Sequence, residues 1–151
     1  MDEAQIVELP SGDLLANMRN KNAKMLGRGV SRSTDQGSTW GPVLFQKELV
    51  SPVCMGSILN VGGKVFFANP DSNTGRVNGV IRASPDGANW SAKTQPVFKG
   101  AYGYSCLTAV PAASKLGLLW ESDGPQCAAP GGKFGSSCRT LFSTFSTNFD
   151  E

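Results

Sequence analysis

Short apolar stretches, most of which alternate with polar residues, recur along the chain between turn signals. Residues 6–9 and 14–18 flank the sequence P-S-G-D, which predicts a hairpin because Pro, Gly and Asp favour tight turns. No segment keeps the i, i+3, i+4 apolar spacing of an amphipathic helix. We therefore predict an all-β fold, whose further strands are residues 29–34, 56–61, 65–69, 79–83, 108–110, 116–121 and 141–145.

Composition supports this fold class and excludes several kinds of catalytic site, metal site and partner. The chain contains 18 Gly and 9 Pro, together 27 of its 151 residues. This share of about 18% exceeds the background of about 12% for these two residue types. It contains no His. This excludes catalytic sites of the Ser-His-Asp and Cys-His types and metal sites that use His as a ligand. The net charge of +2 predicts no nucleic-acid partner. No apolar run approaches the roughly 20 residues of a membrane helix.

Two related segments form a degenerate internal repeat. Residues 33–40 read S-T-D-Q-G-S-T-W and residues 84–90 read S-P-D-G-A-N-W. In such a turn the Asp side chain accepts backbone hydrogen bonds, Gly supplies a positive φ, and Trp packs under the hairpin. The role of each Asp is therefore structural rather than catalytic. A period near 50 residues with several strands in each repeat predicts the blades of a β-propeller.

The pattern S-x-D-x-G-x-x-W resembles the Asp-box of sialidases (neuraminidases). Four more stretches resemble the same family in the same order: V-E-L-P-S-G-D-L-L-A-N-M-R, N-P-D-S-N-T-G-R-V-N-G-V-I-R-A-S, Y-S-C-L-T-A-V and G-L-L-W-E. The resemblance implies a partial six-bladed β-propeller with about three blades of antiparallel strands. On this reading residues 1–151 are the C-terminal portion of a sialidase propeller domain.

The resemblance also implies roles for five residues. Arg19 and Arg76 correspond to two of three arginines that bind the carboxylate of sialic acid. Tyr104 corresponds to the nucleophile, and Glu3 to the carboxylate that activates it. Glu121 corresponds to the residue that braces the remaining arginine. Each also has a plainer interpretation: Arg19, for example, heads a basic stretch with Lys21, Lys24, Arg28 and Arg32 that favours a solvated face.

These residue types suit the implied chemistry. Planar guanidinium groups meet a carboxylate bidentately and stay charged. A neutral phenol avoids the repulsion between a carboxylate nucleophile and the carboxylate on the anomeric carbon. A nearby Glu takes the phenol proton as the oxygen attacks, in a retaining reaction of the kind that sialidases carry out with a Tyr nucleophile. The implied substrates are sialylated glycoproteins, glycolipids or oligosaccharides, and no cofactor or metal is implied.

The chain departs from the family pattern by omission. The first arginine and the Asp general acid/base have no counterpart in residues 1–151. We therefore expect this chain alone to be inactive. The alternative function is a non-catalytic propeller module that binds glycans or proteins through the same face. The motifs fit hydrolases and trans-sialidases alike, and they leave a secreted, lysosomal or cytoplasmic location open.

The four cysteines match no zinc-binding spacing. Cys54 and Cys106 lie in strand-like stretches, which favours buried free thiols. Cys127 and Cys138 bracket a Gly/Pro/Ser loop, where a disulfide and two free thiols are equally compatible with the sequence.

Overall fold

The computed structural model describes residues 1–22, 26–110, 114–123 and 138–150. The described residues form strands joined by turns, which confirms the predicted all-β class, and every strand pair is antiparallel. No helix in this part of the chain is long and apolar enough to cross a membrane. In chain order the strands are β1 (Asp2–Glu8), β2 (Leu14–Arg19), β3 (Arg28–Ser33), β4 (Leu44–Gln46), β5 (Ser57–Val61), β6 (Lys64–Pro70), β7 (Val77–Ser84), β8 (Gln95–Val110), β9 (Lys115–Asp123) and β10 (Cys138–Ser146).

The strands form three blades of a β-propeller. The first blade is the sheet β1-β2-β3-β4, and β5, β6, β7 and the first part of β8 form the second. From Tyr102 onward β8 pairs with β9, which pairs with β10, so the same strand begins the third blade. The ladder shifts register between Tyr102 and Ser105, where β8 passes from one blade to the next. Gly79 is required beside this point, because a Cβ there would lie 2.1 Å from the Tyr102 ring.

The middle blade is buried on both faces. Phe66 and Ala68 of β6 pack into a core shared with the third blade, whereas Val65 and Phe67 pack into a core shared with the first. The four side chains are fully buried, and this explains the continuous apolar run V-F-F-A, since a strand covered on both faces need not alternate. The outer blades carry exposed apolar side chains: Ile6, Leu26, Trp40, Val43 and Leu44 in the first, and Phe98, Leu119, Leu141 and Phe142 toward the third.

The first repeat segment forms the predicted hydrogen-bonded turn between β3 and β4. The N–H of Gly37 donates to Ser33 Oγ over 2.8 Å, and Gly37 has a φ of 89°. Asp35 accepts from the Thr39 N–H over 2.8 Å and from the Thr39 hydroxyl over 2.6 Å. Its Trp40 is 39% exposed, so this side chain is not buried under the hairpin as predicted.

The second repeat segment occupies the equivalent turn between β7 and β8. Asp86 accepts from the N–H groups of Ala88 and Asn89 over 2.8 and 2.7 Å. Trp90 packs edge-on against Phe67, with 6.0 Å between the ring centroids. Its indole N–H donates to Gln46 of the first blade over 3.3 Å. The two segments therefore mark the same position in successive blades.

Three features were not predicted. Strand β4 has three residues, too few to show a period. Only the end of β8 was predicted as a strand, because Gly and Pro interrupt the apolar pattern of the rest. The expectation of two buried thiols was wrong for Cys106, which is exposed, while Cys54 is buried in the β4–β5 connection. Cys106 precedes the buried Leu107, and neighbouring strand residues face opposite sides. Cys127 lies outside the described residues, so the possible Cys127–Cys138 bridge stays a prediction.

The second repeat segment makes stability depend on acid pH. Hydrogen bonds from the Asn89 and Ala88 N–H groups hold the pKa of Asp86 at about 2, below the unfolded value of about 3.9. The stabilisation is therefore present above about pH 4 and is lost as pH falls toward 2. We expect Asp86→Asn to lower the free energy of unfolding by about 1 kcal/mol near neutral pH, after allowance for solvent screening. Urea unfolding should show that the difference from wild type closes between about pH 4 and pH 2.

Glu48→Gln is the control for this experiment, since Glu48 is exposed and lies outside both repeat segments. The control should not reproduce the pH-dependent difference. A constant difference between Asp86→Asn and wild type across the acid range would contradict the prediction.

Candidate functional site

Five side chains that are far apart in sequence meet at one end of the blades. Glu3 lies on β1, Arg19 ends β2, Tyr104 lies on β8 and Glu121 on β9, while Arg76 directly precedes β7. Each is partly buried, neither core nor fully exposed. The structure thus brings together all five positions that the sequence singled out.

Hydrogen bonds between blades hold the strands that carry these residues. Gln5 Oε1 on β1 accepts from the Ile58 N–H on β5 over 2.8 Å. Ser57 Oγ on β5 accepts from the Leu107 N–H on β8 over 2.9 Å. Because β5 binds to both neighbours, β1 and β8 stay close enough for their side chains to meet.

A register irregularity in β1 directs Glu3 into the site. Asp2 pairs with Arg19 and Ala4 with Met18, so that Glu3 has no cross-strand partner. A bulge of this kind re-aims a side chain. Glu3 Oε2 accepts from Arg19 Nη1 over 2.6 Å, whereas Asp2 forms a separate ion pair with Lys21.

Tyr104 completes a three-membered network. Its hydroxyl donates a hydrogen bond to Glu3 Oε1 and accepts one from Arg19 Nη1 over 3.1 Å. The hydrogen bond that the sequence predicted between Glu3 and Tyr104 is therefore present. The network joins the first blade to the third across 101 positions of sequence.

Arg76 and Glu121 approach Tyr104 from other directions. The Arg76 guanidinium carbon lies 5.4 Å from the centroid of the Tyr104 ring, a distance at which a cation is attracted to an aromatic face. Glu121 Oε2 accepts from the backbone N–H of Tyr104 over 3.0 Å. Glu121 thereby fixes the backbone of Tyr104, a contact that is separate from its expected role of bracing the remaining arginine.

The network has a defined resting charge state. Burial disfavours ionised Glu3, but the hydrogen bonds from Tyr104 and Arg19 outweigh burial and hold the pKa of Glu3 below its usual value. The hydrogen bond to Glu3, together with burial, raises the pKa of Tyr104 above 10. At neutral pH Glu3 is therefore a carboxylate and Tyr104 a neutral phenol.

Several residues next to the five site residues have structural roles. Tyr102 is fully buried and stacks on Trp120, with 5.6 Å between centroids. Trp120 donates its indole N–H to Ser143 over 3.1 Å. Arg82 pairs with Asp71 over 2.8 Å and so ties β7 to the start of the segment that leads to Arg76.

A pocket of about 300 Å³ adjoins the site and is lined by Tyr104, Cys106, Trp120, Glu121 and Thr140, among others. Another pocket, of about 260 Å³, lies near Lys64 and Lys115 and includes none of the five site residues. The first pocket is the one that adjoins the network.

Sequence reasoning missed Arg28. The basic stretch from Arg19 to Arg32 favoured a solvated face, yet Arg28 is fully buried beneath the network. The hairpin register contained the missing signal: β2 pairs with β3 up to Met18 and Gly29, so the next position sets Arg28 opposite Arg19.

The described residues contain no cluster of metal-ligating side chains.

The charge state can be tested by titration. The chain has two tyrosines, and burial raises the pKa of Tyr102 so strongly that Tyr104 ionises first. We expect the midpoint of tyrosinate absorbance to lie above that of a free tyrosine, and Glu3→Gln to lower it, because the neutral amide no longer opposes a phenolate while Arg19 still favours one.

Asp2→Asn is the matched control, because Asp2 is adjacent in sequence but contacts Lys21 instead. It should leave the tyrosine titration unchanged. An unchanged midpoint in Glu3→Gln would show that the contact with Glu3 does not govern Tyr104.

No family model matches the chain, but individual proteins do. It is 34% identical over 132 residues to a sialidase of Bacteroides fragilis, and 39% identical over 134 residues to a sialidase of Micromonospora viridifaciens. Each match covers 80% of this chain but only 24% and 20% of the relative. The chain thus spans less than a quarter of the length of these curated relatives.

Solved structures give the same result. A Hadza microbial sialidase superposes with a TM-score of 0.69 at 35% identity, over 80% of this chain and 25% of that one. The intramolecular trans-sialidase from Ruminococcus gnavus superposes with a TM-score of 0.73 at 22% identity, over 98% of this chain and 33% of that one. The latter likeness is one of fold.

Proposed function

Since the chain belongs to the sialidase family, we propose that it carries part of the active site of an exo-α-sialidase, which releases terminal sialic acid with retention of configuration. The observation that supports this proposal most directly is that the Tyr104 hydroxyl is hydrogen-bonded to both Glu3 and Arg19. Two residues from the paired strands β1 and β2 and a third from β8 supply a base, a cation and a nucleophile in one network. The proposed substrates are sialylated glycoproteins, glycolipids or oligosaccharides.

Arg19 and Arg76 are the proposed carboxylate-binding groups. Arg19 is fixed through Nη1 by Glu3, so its fork is pre-oriented before substrate arrives. Arg76 lies over the face of the Tyr104 ring, whereas Arg19 contacts the hydroxyl of the same residue. A carboxylate held between two guanidinium groups would place the anomeric carbon, to which it is attached, close to the phenol oxygen.

Tyr104 is the proposed nucleophile and Glu3 the proposed base. As the bond from the anomeric carbon to the leaving oxygen breaks, the sugar becomes positively charged and favours a phenolate. The phenol proton passes along the existing hydrogen bond to Glu3 while the phenol oxygen bonds to the anomeric carbon. Glu3 returns the proton to the phenol oxygen when water displaces the tyrosine. The group that protonates the leaving oxygen, and later takes the proton of the attacking water, is the family's Asp general acid/base, which has no counterpart in this sequence. Arg19 stabilises the phenolate during transfer through its contact with the phenol oxygen.

We further propose that residues 1–151 are the C-terminal portion of a sialidase propeller domain and do not turn over sialosides alone. The family's first arginine and its Asp general acid have no counterpart in this sequence. A missing general acid costs about 10²–10⁴-fold in rate. A missing charge-assisted contact to the carboxylate weakens binding by about 1.5–3 kcal/mol.

A chimera provides the test of catalysis. This chain would replace the matching stretch of the Bacteroides fragilis sialidase, which then supplies the remaining parts of the protein. We expect the chimera to hydrolyse a fluorogenic sialoside, the isolated 151-residue chain to give no turnover above buffer, and Tyr104→Phe in the chimera to reduce kcat by at least about 10³-fold, because the nucleophile is lost.

Tyr102→Phe is the matched control, since it removes the hydroxyl of the buried neighbouring tyrosine, and it should keep activity within about threefold. An active chimera that tolerates Tyr104→Phe would contradict the assignment of the nucleophile. If the chimera folds but is inactive, binding of sialic acid without turnover would favour a non-catalytic glycan-binding module instead.

A further inference from the structure

Arg28 is an unusual residue to find inside a protein. It is fully buried, and arginines are rarely so unless they are paired. Its Nε donates to Asn17 Oδ1 over 2.9 Å and its Nη1 to the carbonyl oxygen of Cys54 over 2.6 Å. Nη2 has no hydrogen-bond partner among the described residues. Both acceptors are uncharged, so the contacts of Arg28 leave its positive charge unbalanced.

Arg28 also faces another cation. The β2–β3 ladder ends at Met18 and Gly29, and one further step of the same register sets Arg28 opposite Arg19. Like charges in such positions destabilise a sheet. The Phe67 ring, 5.4 Å from the guanidinium carbon, gives only the modest compensation of a cation–π contact. Burial lowers the pKa of Arg28 to about 10, so the group remains protonated at neutral pH.

The location of Arg28 connects this charge to the site. Its acceptor Asn17 lies two residues before Arg19 on β2, and alternate strand residues share a face. Arg28 donates to the Cys54 carbonyl oxygen. Burial raises the pKa of the Cys54 thiol, and the positive charges of Arg76, Arg19 and Arg28 each oppose that rise. Against their three positive charges stand the carboxylates of Glu3 and Glu121. The five side chains carry a formal excess of one positive charge.

Building on the proposed function, we propose that Arg28 is a positioning residue that supplies a permanent buried positive charge beneath Arg19 and Arg76, and thereby selects an anionic sugar over its neutral counterpart. Arg28 does not touch the substrate. It acts through the electrostatic potential of the pocket, which is stronger in a buried setting than in water, and it holds Asn17 on the strand that presents Arg19. One substrate carboxylate would neutralise the excess charge.

Two variants separate charge from hydrogen bonding. Arg28→Lys keeps the charge but loses the guanidinium fork, whereas Arg28→Gln keeps an amide donor but loses the charge. The probes are N-acetylneuraminic acid and its methyl ester, which differ in the charge of the carboxyl group. Binding of each probe to the 151-residue chain is measured by NMR titration, with the unfolding midpoint as a check on folding.

We expect the wild-type chain to prefer the acid, and Arg28→Lys to retain the acid-to-ester ratio within about threefold. Arg28→Gln should lower that ratio by about tenfold, a loss of about 1.4 kcal/mol, while affinity for the ester stays nearly constant. If Arg28→Gln does not fold, Arg28→Met replaces it, because apolar residues of similar volume often substitute for buried charges without loss of stability.

Each result has one interpretation. An unchanged acid-to-ester ratio in Arg28→Gln would overturn the inference and leave the proposed function intact. Equal losses for both probes in both variants would reduce Arg28 to a structural role and overturn it as well. A wild-type chain that binds acid and ester equally would overturn the carboxylate-binding site itself, and the inference with it.

Discussion

The hydrogen bond from Tyr104 to Glu3 is the interaction on which the site depends. It spans the first and third blades, so it forms only if the middle blade sets the correct spacing between β1 and β8. Both faces of the middle blade are buried, and its inner strand β5 is hydrogen-bonded to each neighbour. The geometry of the network is therefore a consequence of blade packing, and no single loop determines it.

The same network sets the resting charge state of the site. A phenol with a raised pKa beside a carboxylate with a lowered one holds its proton firmly at rest. In the proposed reaction, the positive charge that develops on the sugar shifts that balance toward proton transfer. Arg28 adds a buried charge that hydrogen bonds alone do not balance. Burial of such a group costs stability, which the cation–π contact with Phe67 offsets in part, and a bound anion would offset it further.

Much of the fold could be predicted because its signals are local. Turn sequences and alternation identified most strands, and the repeat segments at Ser33 and Ser84 identified successive blades. The five site residues came from a family resemblance, since no periodicity could bring Glu3 to Tyr104. What could not be predicted depends on tertiary context. Arg28 looks like a surface cation until the hairpin register is known, and β8 serves two blades, a division that its sequence does not mark.

The most direct test of the central claim is a crystal structure of this chain with bound N-acetylneuraminic acid. The arrangement of the five residues predicts that the sugar carboxylate lies within hydrogen-bond distance of Arg19 and Arg76. It also predicts that the Tyr104 oxygen lies about 3–3.5 Å from the anomeric carbon, the separation of a reactive pair. A sugar bound with its carboxylate away from both arginines, or a site that stays empty at saturating sugar, would contradict the claim.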